Sequence, residues 1–145
     1  MTDNILRAGR PQFEDRSKPL ACSYEACTTK LRTFECPYHY HPEVELIAIQ
    51  GSHGTILTGG SMAKFAEGDV FLIGSMVPHS FMNRRRDSSG EDWTRYTVVQ
   101  FQPNFIGETA SVCPEFTEIR ELLRFSGAMA LEGELCAKVY ESLLG

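Results

Sequence analysis

The chain has 145 residues, 42% of them apolar, and a formal net charge of −5. This length suits one domain, large enough to bury a core without disulfide or metal staples. The acidic balance speaks against duplex binding, which relies on a basic excess to displace counterions, and no apolar run is long enough to cross a bilayer.

Met1 to Arg7 contain no secretory apolar stretch, so a cytoplasmic protein is expected. Strands are predicted at 28–34, 43–50, 55–58, 61–65, 69–73, 79–83 and 96–101. Gly51-Ser52-His53-Gly54, Gly59-Gly60 and Glu67-Gly68-Asp69 separate several of them, and glycine takes up positive φ in such turns without steric cost. Closely spaced short strands predict an all-β sandwich or barrel. Arg84-Arg85-Arg86, followed by Asp87, Glu91 and Asp92, reads as a solvated loop. Cys22, Cys27, Cys36, Cys113 and Cys136 form no CxxC pair and read as small apolar residues.

Beyond Phe101 the hydrophobic period changes to that of helices. Phe116, Ile119, Leu122 and Leu123 share one face behind Pro114. A second helix is predicted from about Ala128 to Leu144, with a stripe of Leu131, Leu135, Val139 and Leu143 beside Cys136, Tyr140 and Leu144. So wide an apolar face must meet the barrel or a second subunit. The expected organisation is a barrel with an N-terminal arm over 1–110, then a helical dimerisation and linker segment of the same domain over 111–145.

Chemistry concentrates in Pro37-Tyr38-His39-Tyr40-His41-Pro42-Glu43-Val44-Glu45. His39, His41 and Glu45 have the same parity, and on a regular strand such side chains project to one face, which Ile47 and Ile49 continue. Pro42 interrupts pairing locally. His79 follows Pro78 at the start of another strand. Three imidazoles and a carboxylate suit a divalent transition metal and leave open positions on an octahedral ion. His53 sits in a glycine turn and is expected at the surface; Asn83 is expected to order a strand or turn. Ile47, Phe81 and Phe101, with Ile49 and Phe71, are candidates to line a pocket, and Trp93 and Tyr96 to close its mouth.

His39-x-His41-x3-Glu45 and Gly68-x5-Gly74-x-Met76-x2-His79-x3-Asn83 resemble the two motifs of the cupin family. Thr33, Gly74 and Met76 stand where those motifs carry glycine, proline and glycine, and the later glycine of the first motif falls early, at Gly51. The resemblance implies a cupin double-stranded β-helix (a jelly-roll barrel) followed by two C-terminal α-helices. It also implies His39, His41, Glu45 and His79 as ligands of Zn, Ni, Fe or Mn.

The segments from Pro37 to Leu46, Glu67 to Gly74, Val77 to Ser80, Val98 to Ile106 and Leu122 to Ser126 resemble the N-terminal effector-sensing domain of AraC-type transcriptional regulators. That implies a small-molecule effector in the barrel, a homodimer through the C-terminal helices, and DNA contact only through paired helix-turn-helix motifs expected beyond Gly145. The chain is accordingly expected to be part of a longer protein with no catalytic residues. The alternative is a small metal-dependent cupin enzyme, a dioxygenase or isomerase, because one fold carries both functions.

Overall fold

The computed structural model describes residues 9–15, 23–34, 36–83, 93–108 and 112–145. The Arg84-Arg85-Arg86 loop and Cys22 lie outside the described residues. The strands are β1 (Gln12–Phe13), β2 (Tyr24–Leu31), β3 (His39–Tyr40), β4 (Val44–Gly51), β5 (Gly54–Thr58), β6 (Ser61–Phe65), β7 (Val70–Ile73), β8 (His79–Met82), β9 (Thr94–Phe101) and β10 (Ala128–Ala130). A 3-10 turn (Pro114–Phe116) leads into α1 (Thr117–Leu123), and α2 (Gly133–Leu144) ends the chain.

Two five-stranded sheets result, ordered β1-β3-β8-β5-β6 and β10-β7-β4-β9-β2. The chain repeatedly passes between them, as a double-stranded β-helix requires. Turn chemistry sets some of the register. Gly59 and Gly60 have φ of 51° and 89°, and Thr58 pairs with Ser61 across them; a two-residue hairpin that follows strand twist needs such values.

Side-chain alternation divides the apolar residues between two cores. Ile47, Ile49, Ile56, Phe65, Phe71, Ile73 and Phe81 meet between the sheets. Val44, Leu72 and Leu123 form a second cluster with Leu46, Phe101, Ile106 and Met129. Thus β4 and β7 are covered on both faces, which is why they read as nearly continuous apolar runs. Fully burying one such side chain contributes about 1.5–3 kcal/mol.

The C-terminal segment departs from expectation. Ala128–Ala130 is a strand, pairing antiparallel with β7 through Ala128↔Ile73, Met129↔Leu72 and Ala130↔Phe71. The helix starts only at Gly133, whose φ is 57°. Here the hydrogen-bonding edge of β7 outweighs the helical period of the sequence, because its backbone groups need partners. Residues 111–145 are therefore not purely helical.

On α2 the half-buried seam is Cys136, Val139, Tyr140 and Leu143, and the Cys136 thiol donates to the Gly68 carbonyl at 3.5 Å. Leu135 is 59% exposed and lies off that seam. In α1 only Leu123 is buried, while Ile119 and Leu122 remain exposed.

Met76 occupies left-handed backbone, with φ 61°. For an L-residue this costs roughly 1–2 kcal/mol, partly recovered because a side chain restricts the unfolded chain. Met76→Gly is therefore expected to stabilise the protein by about 0.5–1 kcal/mol, seen as a higher urea midpoint at an unchanged slope. A lower midpoint would mean that the half-exposed Met76 side chain contributes packing that outweighs the strain.

Candidate metal centre and effector pocket

His39 and His79 face each other across the β3–β8 ladder as direct register partners. Glu45 lies in the opposite sheet, on β4, beside Gln100 of β9. The shared parity of His39, His41 and Glu45 therefore does not come from one continuous strand. The backbone leaves the ladder at His41–Glu43 and crosses between sheets. The four side chains converge because the sheets face one another.

All four are buried: His39 is 8% exposed, His41 1%, Glu45 6% and His79 2%. One ring nitrogen from each histidine lies within 4.8 Å of the others. The Nδ1 of each ring sits against a backbone carbonyl two residues away: Pro37 at 2.6 Å from His39, Glu43 at 3.2 Å from His41, and Val77 at 2.8 Å from His79. A carbonyl only accepts, so each Nδ1 carries the proton and each Nε2 presents a lone pair.

Two of those Nε2 atoms, of His41 and His79, face Glu45, while that of His39 lies 3.6 Å from Glu14 Oε2. The Glu45 Oε2 lies 3.2 Å from His41 Nε2 and 3.8 Å from His79 Nε2. Neither nitrogen has a well-directed hydrogen bond, although both are buried. Lone pairs facing a carboxylate in a buried site call for a cation between them, and either a proton or a metal ion meets that need.

The electrostatics of the site follow from these contacts. Burial alone would raise the Glu45 carboxyl; the His41 and His79 contacts, with Gln100, reverse this and hold it well below the usual carboxylate range. Burial would lower His79, but the Glu45 carboxylate overcomes that and raises it. His39 is lowered by burial, with the neighbouring histidines opposing its charge. The Glu45 carboxylate thus favours a proton on His79, and a divalent ion held by these groups would take that proton's place. The donor set of three neutral imidazoles and one carboxylate fits such an ion.

Supporting contacts hold the set in place. Gln100 Nε2 donates to Glu45 Oε2 at 2.7 Å, and Gln102 Nε2 donates to Glu43 Oε1 at 3.2 Å. Glu43 is itself buried, with Oε2 3.4 Å from His41 Nδ1. Gln100 and Glu43 were missed in the sequence, though Gln100 has the parity of Tyr96, and Glu43 that of its histidine neighbours.

Beside the cluster lies a cavity of about 60 Å³. His39, Glu45, His79 and Gln100 form its polar side; Ile47, Phe81, Tyr96 and Val98 form its apolar wall. Phe34 and Cys36, both unpredicted, complete it. Ile47 and Phe81, expected to line a pocket, lie along this cavity, and Tyr96, expected at its mouth, is part of the wall. Ile49 and Phe71 belong to the core between the sheets.

Two expectations fail. Phe101 points away from the cavity and packs in the second cluster, 5.0 Å from the Phe105 ring. On β9 it is Tyr96, Val98 and Gln100 that line the cavity, and Phe101 has the opposite parity. Trp93 does not close the mouth. It is 38% exposed, with Lys30 Nζ 4.9 Å and Arg32 Cζ 4.3 Å from its ring centroid, so the indole is a cation–π platform on the surface. Asn83 bridges segments, accepting from Phe34 N at 2.9 Å and donating to Ser52 Oγ and Thr94 Oγ1 at 2.7 and 2.6 Å. His53 is exposed.

The facing sheets, with a histidine–carboxylate cluster between them, define a cupin-type barrel. No protein-family model and no curated protein matches the chain. Among solved structures it is similar to ToxT from Vibrio cholerae, with 13% identity and a TM-score of 0.54 over 83% of this chain and 47% of that one. Unsaturated fatty acid bound wild-type ToxT from Vibrio cholerae strain SCE256 matches at 14% identity and 0.54, over 85% and 44%. A cupin 2 conserved barrel domain protein from Salinispora arenicola CNS-205 matches at 14% identity and 0.47, over 61% and 71%.

This chain spans less than half the length of ToxT. At these identities the likeness is one of fold alone. No helix among the described residues is long and apolar enough to cross a membrane.

Proposed function

We propose that this chain is the effector-sensing and dimerisation domain of an AraC-type transcriptional regulator, working in the cytoplasm. A barrel over 1–110, to which the strand Ala128–Ala130 adds an edge, binds a small molecule beside a divalent transition metal, and the helices within 111–145 join two copies. The observation that supports the reading is the grouping of ring nitrogens of His39, His41 and His79 within 4.8 Å of one another, with Glu45 Oε2 near two of them, beside a cavity that His39, Glu45 and His79 border. His39, His41, His79 and Glu45 would hold the ion, which supplies Lewis acidity and open positions for an anionic group. The ion's identity, among Zn, Ni, Fe and Mn, is for elemental analysis.

DNA contact belongs in this reading to a segment beyond Gly145. Reading the gene further is expected to show two helix-turn-helix motifs; a stop codon after Gly145 would oppose it. The second reading, a metal-dependent cupin dioxygenase or isomerase, is favoured by the complete ligand set. Multiple turnovers of a small substrate with added iron or manganese would move the assignment there.

The dimer has its own test. Leu122 and Leu135 are 46% and 59% exposed on the two C-terminal helices, and such apolar surface tends to mark an interface. Val139 turns partly inward, so Leu135 is the better probe. Light scattering is expected to give a dimer at micromolar concentration, and Leu122→Glu with Leu135→Glu a folded monomer. A wild type that is already monomeric would refute the interface.

A further inference from the structure

The size of the cavity and the packing of one side chain identify the class of effector, an inference that rests on the effector-sensing reading. The cavity holds about 60 Å³. At roughly 10–15 Å³ of this measure per water, that is room for a few waters or a single carboxylate group. Drug-sized ligands occupy pockets of about 300 Å³ or more. A larger ligand therefore enters only if some side chain leaves.

Phe34 is the side chain placed to leave. It lies outside the strands, between β2 and β3, and is only half-buried. Its backbone makes one hydrogen bond to the Asn83 side chain, so moving it breaks no strand ladder. Its ring stacks with two others: the Phe81 centroid is 5.2 Å away at 25° and the Tyr96 centroid 4.9 Å away at 23°. Phe65 meets it edge-on at 5.5 Å. Phe81 and Tyr96 thus each offer a stacking surface to the planar ring that Phe34 supplies, and both line the cavity that His39 and His79 border.

We propose that Phe34 is a displaceable plug, and that the slot it fills against Phe81 and Tyr96 receives the ring of a small planar aromatic acid. The ligand's carboxylate enters the existing cavity, toward the histidine cluster and its cation. Flat rings stack in this slot, whereas puckered ones of similar volume lose the offset-stacked contacts with both rings.

The test is calorimetric titration of the zinc-loaded chain with benzoate and with cyclohexanecarboxylate. Benzoate is expected to bind about 10-fold tighter or more. Phe34→Ala is expected to tighten benzoate about 10-fold, because a plug closed nine-tenths of the time lowers apparent affinity by that factor. The preference over cyclohexanecarboxylate should persist. Equal affinities for the two acids, or a Phe34→Ala protein that binds benzoate no tighter than wild type, would overturn the proposal.

Phe34→Leu, which keeps bulk but cannot stack, serves if the alanine variant does not fold, with the same expected order. Should the protein hold no metal, toluene and methylcyclohexane read the slot without the acid. A preference for toluene then supports the slot although the metal reading has failed, and equal binding overturns the slot itself.

Discussion

Protein purified without a histidine tag is expected to carry a transition-metal ion, and His79→Ala to lose it. The reason lies in the orientation of the ligands. Each imidazole is pinned through Nδ1 to a backbone carbonyl, so its Nε2 lone pair is already aimed before any ion arrives. Metal-binding histidines are typically held this way, and loss of even an outer contact costs about 10–100-fold in affinity. Removing a direct ligand is expected to cost more than about 100-fold.

Stability should change with it. Metal at 100 times its dissociation constant stabilises by about 2.7 kcal/mol, which for a chain of this size raises Tm by roughly 8–10 °C. The shift is expected in wild type, to be absent in His41→Ala and His79→Ala, and to vanish on chelation. Equal metal content in wild type and both variants would place the ion elsewhere. The buried His79–Glu45 pair would then be satisfied by its proton alone.

The second large effect concerns Gly74, where the second cupin motif usually has proline. Restoring that proline is expected to destabilise the protein severely. Gly74 N donates to the Gly127 carbonyl at 2.8 Å, extending the β7–β10 pairing. A Cβ at Gly74 would lie 2.2 Å from the Phe125 carbonyl oxygen and 3.1 Å from that of Gly127. Both obstacles are backbone, so neither can swing aside.

Gly74→Ala alone should cost about 3 kcal/mol or more, since overpacking typically costs 1–3 and here the chain itself must move. Gly74→Pro also leaves the Gly127 carbonyl without its donor, adding about 1–3 kcal/mol. Against a usual total of 5–15 kcal/mol, the proline variant is expected to be largely unfolded at 37 °C. Circular dichroism melts would read both. A Gly74→Ala protein melting within about 2 °C of wild type, under 1 kcal/mol at this size, would show that the 122–127 segment yields easily. Met76→Gly, by contrast, brings in the glycine that the similar motif carries there and should stabilise, so the two departures from the motif have opposite signs for separate steric reasons.

Local periodicity was enough to read most strands and the glycine hairpin, because alternation and turn residues act within a few positions, whereas pairing His79 with His39 and His41 rested on the two motifs that resemble those of cupins. Which sheet each strand joins is not a local property. The odd parity of His39 and Glu45 survives a break at His41–Glu43 only because their strands lie in opposed sheets. Phe101 and Phe81 both look like inward aromatics in the sequence, yet a second apolar cluster waits on the outer face of β9 to receive Phe101. Trp93 was drawn to the surface by Lys30 and Arg32, residues more than 60 positions earlier that only the β2–β9 pairing brings near. Ala128–Ala130 has a helical pattern but became a strand, because the exposed edge of β7 offered three residues of backbone pairing. In each case the side chain or backbone group found its partner through tertiary packing, and no window of sequence contains both members of such a pair.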